Sequence, residues 1–257
     1  MFAVMFPPIR QITIVTKIII QPKRIDETTP GCIARRTCNI IPLMSLILFD
    51  FDGVLADTLA DMLRFAQEVC DELGVKHTVV QTDLSQLEEM SFAAFGRACG
   101  TPEDLVREFV RRCMGKFAEK QSPPALFDGM EKVLRKLAKW HNLAVVTGNT
   151  SRNVRIFLEE HGLANCMDAV YGLDMPGSKA EKILKAKDQF GVEAGRVFMV
   201  GDSCSDIRAA RQAGVNAIAV SWGHQSMSML VRALPDLVVR VPGELIVAVR
   251  LIGRGSL

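Results

Sequence analysis

From Met44 onward, short unbroken apolar runs alternate with segments whose apolar residues return at helical spacing. The runs Leu46–Phe51, Leu143–Thr147, Asp168–Tyr171, Val197–Gly201, Ala217–Ser221 and Leu237–Val239 read as strands. A strand that is apolar along its whole length is one buried on both faces, as in a parallel sheet covered by helices. Helical spacing marks Asp128–Lys139, Ser151–Glu160, Ser178–Phe190, Cys204–Ala213, Ser226–Ala233 and Gly243–Arg250 between them. The pattern predicts an α/β fold with a Rossmann-like parallel sheet core. Crossovers in such a sheet are right-handed, and ligands bind at the carboxyl ends of the strands.

One segment breaks the alternation. Between Thr58 and Pro124 no strand pattern occurs, only helices at Leu59–Leu73, Leu84–Ala98 and Pro102–Lys120. Thr101-Pro102-Glu103-Asp104 carries a helix start signal: a capping hydroxyl, a proline at the first position and acids in the first turn. Ser122-Pro123-Pro124 closes the segment. The expected organisation is an all-helical cap subdomain, 58–124, inserted into a core made of 44–57 and 125–257. A cap there sits over the ligand edge, where a lid belongs.

Residues 1–43 differ from the rest, with six Lys/Arg, two acids (Asp26 and Glu27) and a β-branched run interrupted by Lys17. This stretch reads as an N-terminal extension outside the core. A translation start at Met44 is the simplest account; a basic, acid-poor targeting or anchoring segment and an extra structural element are the alternatives.

Composition narrows the function classes. The 257 residues are 49% hydrophobic, enough for one large domain or two small ones. A formal charge of +2 leaves no electrostatic footprint for nucleic acid. No apolar run reaches the roughly 18 to 20 residues that span a bilayer, so no membrane partner is expected. Seven cysteines, odd in number and without a CxxC pair, fit a reducing cytoplasm. His77, His141, His161 and His224 show no metal-ligand spacing. A monomer or homodimer is expected.

The chemistry gathers at the predicted strand ends. The first strand ends in Asp50-Phe51-Asp52-Gly53, two carboxylates facing the same way on extended chain. Such a pair repels unless a cation joins it. A second strand ends in Asp202-Ser203-Cys204-Ser205-Asp206. Three or four acids converging on one edge make a hard, all-oxygen site suited to Mg²⁺. Asp206 has a competing use as the acidic half of a capping box with Ser203. A third strand ends in Thr147-Gly148-Asn149, a hydroxyl, an exposed amide and a carboxamide just before a helix, where an anion is stabilised. Lys179 falls in the first turn of a helix opened by Ser178-Lys179-Ala180-Glu181, where the dipole disfavours a cation. A lysine there is best explained by an anion beside it.

Together, Asp50–Val54 (DFDGV), Val146–Asn149 (VTGN), Lys179 and Gly201–Asp206 (GDSCSD) resemble the four motifs of the haloacid dehalogenase superfamily. The helical insert and the ending from Ser221-Trp222-Gly223-His224 to Pro242-Gly243-Glu244-Leu245 resemble its phosphoglycolate phosphatase-like subgroup. The resemblance implies that Asp50 is a nucleophile forming an aspartyl-phosphate, and that Asp52 is the general acid and base. It implies that Thr147, Gly148 and Asn149 bind the phosphoryl group and that Lys179 neutralises it. Asp50, Asp202 and the Asp52 carbonyl would hold Mg²⁺, with Asp206 supporting. The expected substrate is a small phosphorylated metabolite, phosphoglycolate first, with pyrophosphate also open. Dehalogenases of the superfamily lack the second aspartate, so Asp52 points to phosphate chemistry. A β-phosphoglucomutase-like reading competes, but Met62 stands where that branch carries a histidine. Arg97 is the favoured cap residue for a second anionic group of the substrate, among Arg64, Lys76, Arg107, Arg111, Arg112 and Lys116.

Overall fold

A computed structural model describes residues 44–120 and 122–252. The readings made on residues 1–43 lie outside the described residues. The described strands are β1 (Leu46–Phe49), β2 (Ala56–Asp57), β3 (Ala125–Leu126), β4 (Asn142–Val146), β5 (Ala169–Tyr171), β6 (Val197–Gly201), β7 (Asn216–Val220) and β8 (Leu237–Val239). The helices are α1 (Leu59–Glu72), α2 (Gln81–Ser85), α3 (Phe92–Ala98), α4 (Val106–Glu119), α5 (Met130–Leu137), α6 (Ser151–Glu160), α7 (Lys179–Phe190), α8 (Cys204–Gln212), α9 (Met227–Arg232) and α10 (Leu245–Ile252).

Six strands form one sheet in the order β5-β4-β1-β6-β7-β8, with every pairing parallel. The strands are apolar along most of their length because both faces of the sheet meet helices. On β1, Ile47 and Phe49 pack with Met130, Leu134, Val154 and Leu245 from α5, α6 and α10. Leu46 and Leu48 point the other way and pack with Ile183, Ile207 and Leu230 from α7, α8 and α9. This is the two-residue alternation of a strand with both faces buried.

The register places the site. Phe49 pairs with Val145 on one side and Val200 on the other. The chain beyond these three residues therefore emerges at one level, so Asp50, Thr147 and Asp202 meet at the carboxyl edge.

β2 and β3 form a two-residue antiparallel ladder that carries the chain into and out of a helical insert. Both strands are too short to leave a period in the sequence. The insert helices α1–α4 enclose their own apolar cluster, including Val69, Leu84, Phe95 and Phe109. The helix expected over Leu84–Ala98 is in fact two, α2 and α3. Tertiary bonds take up the carbonyls between them. Ser85 O accepts from Ser226 N at 3.0 Å, Glu88 O from Arg208 Nη2 at 2.6 Å, and Leu87 O from Gln225 Nε2. Ser91 then caps α3, accepting from Ala94 N at 3.2 Å. The start expected at Pro102 also moves: α4 begins at Val106, preceded by a turn closed by Leu105 N onto Pro102 O at 2.8 Å. Thr101 does not cap; its buried Oγ1 has no hydrogen-bond partner among the described residues.

Candidate active site

Each site residue follows a strand of the sheet or opens a helix behind it. Asp50 continues β1, its N–H donating to Val200 O at 2.9 Å. The chain then turns tightly, with Leu55 N and Ala56 N both donating to Phe51 O. Phe51 is buried and meets Phe157 edge-on at 4.9 Å, which anchors the turn from below. Gly53 has φ +78°, and a Cβ there would stand 2.1 Å from Asp202 Oδ2. Only glycine combines that backbone conformation with so close an approach.

Asn149 Nδ2 donates to Asp52 Oδ2 at 3.1 Å, joining the ends of β1 and β4. Thr147 is buried, and its Oγ1 accepts from Asn149 N at 3.0 Å. Thr150 caps α6, accepting from Asn153 N at 3.3 Å. Thr147, Gly148 and Asn149 thus sit before a helix N-terminus on the cavity wall, as the sequence suggested.

Lys179 opens α7 against the helix dipole, and its partners explain why. Nζ lies 2.6 Å from Asp206 Oδ1 and 3.1 Å from Asp50 Oδ2. Burial alone would lower the Lys179 pKa, but Asp206 and Asp50 hold it above the usual lysine value. Asp206 is 1% exposed and forms the capping box that its spacing from Ser203 suggested. Its Oδ2 accepts from Ser203 N and Oγ in a capping box, while Oδ1 holds Lys179. Asp202 Oδ2 accepts from His224 N at 2.7 Å.

Asp50, Asp202 and Asp206 each bring a carboxylate oxygen within 4.8 Å of the others. Lys179 pairs with Asp50 and Asp206 but not with Asp202, so one ammonium serves three converging carboxyl groups. Burial pushes the Asp50 carboxyl up to about 7, with Lys179 opposing and Asp206 and Asp52 adding to the rise. Burial raises Asp52 as well, and Asp202 well above the ordinary carboxyl value. An all-oxygen donor set with surplus negative charge fits a hard divalent cation such as Mg²⁺.

A cavity of about 810 Å³ opens above these residues. Its other walls come from the insert, through Met62, Phe92, Met114 and Phe117. Arg97 is corrected by this geometry, because it does not line the cavity. It is 52% exposed, and its guanidinium is held by Glu103 through Nε–Oε2 at 2.8 Å and Nη2–Oε1 at 2.6 Å. Arg64, Arg111, Arg112 and Lys116 are likewise spent in ion pairs with insert carboxylates. Among the described residues, the Lys and Arg side chains that line the cavity besides Lys179 are Lys120, paired with Asp61, and Arg152 on α6.

His224, with no telling spacing in the sequence, is buried in the site and reaches Thr58 Oγ1 at 3.2 Å. Its one signal was position: Ser221-Trp222-Gly223-His224 leaves a strand at the same edge as the four motifs.

Comparison with known proteins agrees with this geometry. Residues 47–220 match the family model of the haloacid dehalogenase-like hydrolases. A phosphoglycolate phosphatase of Synechococcus elongatus is 28% identical over 207 residues, covering 80% of this chain and 97% of its own. A Dickeya dadantii protein named "Probable phosphatase IndB" is 30% identical, covering 78% of this chain and 91% of its own. Among solved structures, a haloacid dehalogenase-like hydrolase from Streptococcus pneumoniae superposes with a TM-score of 0.70 at 21% identity. It covers 80% of this chain and 98% of its own.

Proposed function

The chain belongs to the haloacid dehalogenase-like hydrolase family and is a phosphatase, and we propose that it hydrolyses a small phosphate monoester through an aspartyl-phosphate on Asp50. The observation that carries this reading is the pairing of roles at the end of β1. Asp50 is held by Lys179, whereas Asp52 is held by the neutral Asn149. One carboxylate is thus kept available as a nucleophile and the other as a carboxyl able to carry a proton.

In the first transfer an Asp50 oxygen bonds to phosphorus and the bond from phosphorus to the leaving oxygen breaks. Asp52 gives its proton to that oxygen. In the second, Asp52 takes a proton from a water that attacks phosphorus, and the Asp50–phosphorus bond breaks. Thr147, Gly148 and Asn149 orient the phosphoryl oxygens, and Lys179 offsets their charge. The insert helices over the cavity act as a cap that excludes bulk water.

Asp50, Asp202 and the Asp52 carbonyl would hold Mg²⁺, with Asp206 in support. The ion would add charge neutralisation at the phosphoryl group.

Phosphoglycolate is the first candidate substrate, since the Synechococcus relative bears that name and matches over nearly its whole length. The cavity is larger than that compound requires, so other sugar or small-acid phosphates, and pyrophosphate, stand beside it. A mutase reading is weaker, because Met62 lines the cavity where that branch carries a histidine.

The test is inorganic phosphate release with Mg²⁺ from phosphoglycolate, β-glucose 1-phosphate and pyrophosphate. Release from at least one, lost by ~10⁴-fold or more in Asp50→Asn, is expected for a missing nucleophile. Sugar phosphate interconversion without phosphate release, or full activity in Asp50→Asn, would sink the reading.

A further inference from the structure

The insert is tied to the core at a second place besides its β2–β3 connection. At the break between α2 and α3, three core donors take insert carbonyls. Ser226 N donates to Ser85 O at 3.0 Å, Arg208 Nη2 to Glu88 O at 2.6 Å, and Gln225 Nε2 to Leu87 O. Gln225 differs from the other two. It is 2% exposed, and both ends of its carboxamide are engaged. While Nε2 faces the insert, Oε1 accepts from Cys204 N at 2.6 Å, at the start of α8. The preceding residue, His224, donates its backbone N–H to Asp202 Oδ2 at 2.7 Å. One side chain thus bridges the insert and the loop that carries Asp202. Just past the gripped carbonyls, Met90, Ser91 and Phe92 line the cavity onto which Asp50 and Asp202 also open.

We propose that Gln225 is a positioning residue for the insert: it holds the wall formed by Met90, Ser91 and Phe92 at a set distance from the phosphoryl site, where that wall fits the body of the ester. The role rests on the phosphatase reading, in which this cavity takes the substrate.

A carboxamide supplies what the place requires, an acceptor on one atom and donors on the other. Cys204 N belongs to the first turn of α8, where N–H groups lack partners inside the helix. Leu87 O lies where the insert leaves the helix. Both groups are costly to leave unpaired when buried, so neither contact is given up readily. The covalent connections of the insert run through a ladder of only two residues on each strand. Domains joined through so few residues swing about them. The Gln225 bridge opposes that swing at the α2–α3 break. A glutamate in its place keeps an acceptor for Cys204 N but has no proton for Leu87 O. That one substitution releases the insert and leaves the core contact.

The experiment uses the full chain with Mg²⁺ and two readouts. The first is amide hydrogen exchange over residues 86–92. Gln225→Glu should speed exchange there while β6 and α8 keep their protection. The second is kcat/KM for phenyl phosphate, whose ring extends toward the insert wall, relative to acetyl phosphate, whose body is much shorter. This ratio should fall by roughly 5- to 20-fold in Gln225→Glu, chiefly through KM for the phenyl ester. Arg208→Ala removes a neighbouring grip on Glu88 O from an exposed side chain that does not touch Cys204. It should move both readouts in the same direction, and it carries the test if Gln225→Glu does not fold.

Unchanged exchange over 86–92 would overturn the role, because the bridge would then not be holding the wall. So would faster exchange with an unchanged ratio, which is what a purely structural bond produces. Wild-type protein inactive on both compounds would overturn the phosphatase reading and the role with it. Failure of the role alone shows as an active wild-type enzyme whose ratio does not move in the variants.

Discussion

Lys179 and Asp206 form an ion pair, Nζ to Oδ1 at 2.6 Å with the carboxylate buried and the lysine 21% exposed, that ties the first turn of α7 to the first turn of α8. The same nitrogen reaches Asp50, so one cation holds two carboxylates in the orientation the chemistry uses. Removing one member of a buried pair leaves the other charge uncompensated. Lys179→Ala is expected to lower unfolding stability by about 3–5 kcal/mol in urea titration without metal. Hydrolysis should fall as well. An unchanged midpoint would show that Asp50 and Asp206 find other partners.

The pH dependence of the metal-free protein follows from Asp50. Its carboxyl is pushed from its ordinary 3.8 up to about 7, chiefly by burial. In the unfolded chain it loses its proton at the lower value, while the folded chain keeps it. The unfolded state therefore binds fewer protons across this window, and stability falls as pH rises through it, levelling above about 7. Mg²⁺ favours the ionised form, so its stabilisation should grow with pH. Melting temperatures with and without Mg²⁺ at about pH 5 and about pH 8 check this. A larger Mg²⁺ effect at the lower pH would contradict the assignment of Asp50 to the metal site.

Gly53 is where backbone and carboxylate come closest. Its positive φ alone costs another residue roughly 1–2 kcal/mol. The added Cβ would also press on Asp202 Oδ2, 2.1 Å away. Gly53→Ala should lower the melting temperature and weaken Mg²⁺ binding, read by calorimetry. Intact Mg²⁺ affinity in a folded Gly53→Ala protein would argue that Asp202 is not a ligand.

Arg97 offers a prediction of the opposite kind. Its guanidinium is closed by Glu103 at the insert surface and does not reach the cavity wall. Arg97→Ala should leave kcat/KM for the best substrate within about twofold, since exposed pairs contribute little. A large rise in KM alone would return Arg97 to the substrate.

The arrangement of the core was legible in the chain because local patterns carry it. Continuous apolar runs of strand length require burial on both faces, and Leu46–Phe49 obeys this with alternate residues in two separate clusters. The acids at Asp50, Asp52, Asp202 and Asp206 were conspicuous because carboxylates at the ends of buried strands need compensation. Lys179 was legible for the same reason, as a cation on the wrong end of a helix dipole.

Partners far apart in sequence could not be read in this way. Thr58 and His224 are 166 positions apart, and only the sheet order, which sets β7 beyond β6 and β1, brings their loops together. Glu103 claims Arg97 through the turn that displaces the start of α4, a turn that the capping pattern at Thr101 argued against. Gln86–Ser91 leaves the helix because Arg208, Gln225 and Ser226 of the core take the carbonyls of Ser85, Leu87 and Glu88. Periodicity and end signals are properties of neighbours along the chain, so they determine elements and their buried faces. Which donor meets which acceptor depends on distances between elements, and those exist only once the sheet and the insert have packed.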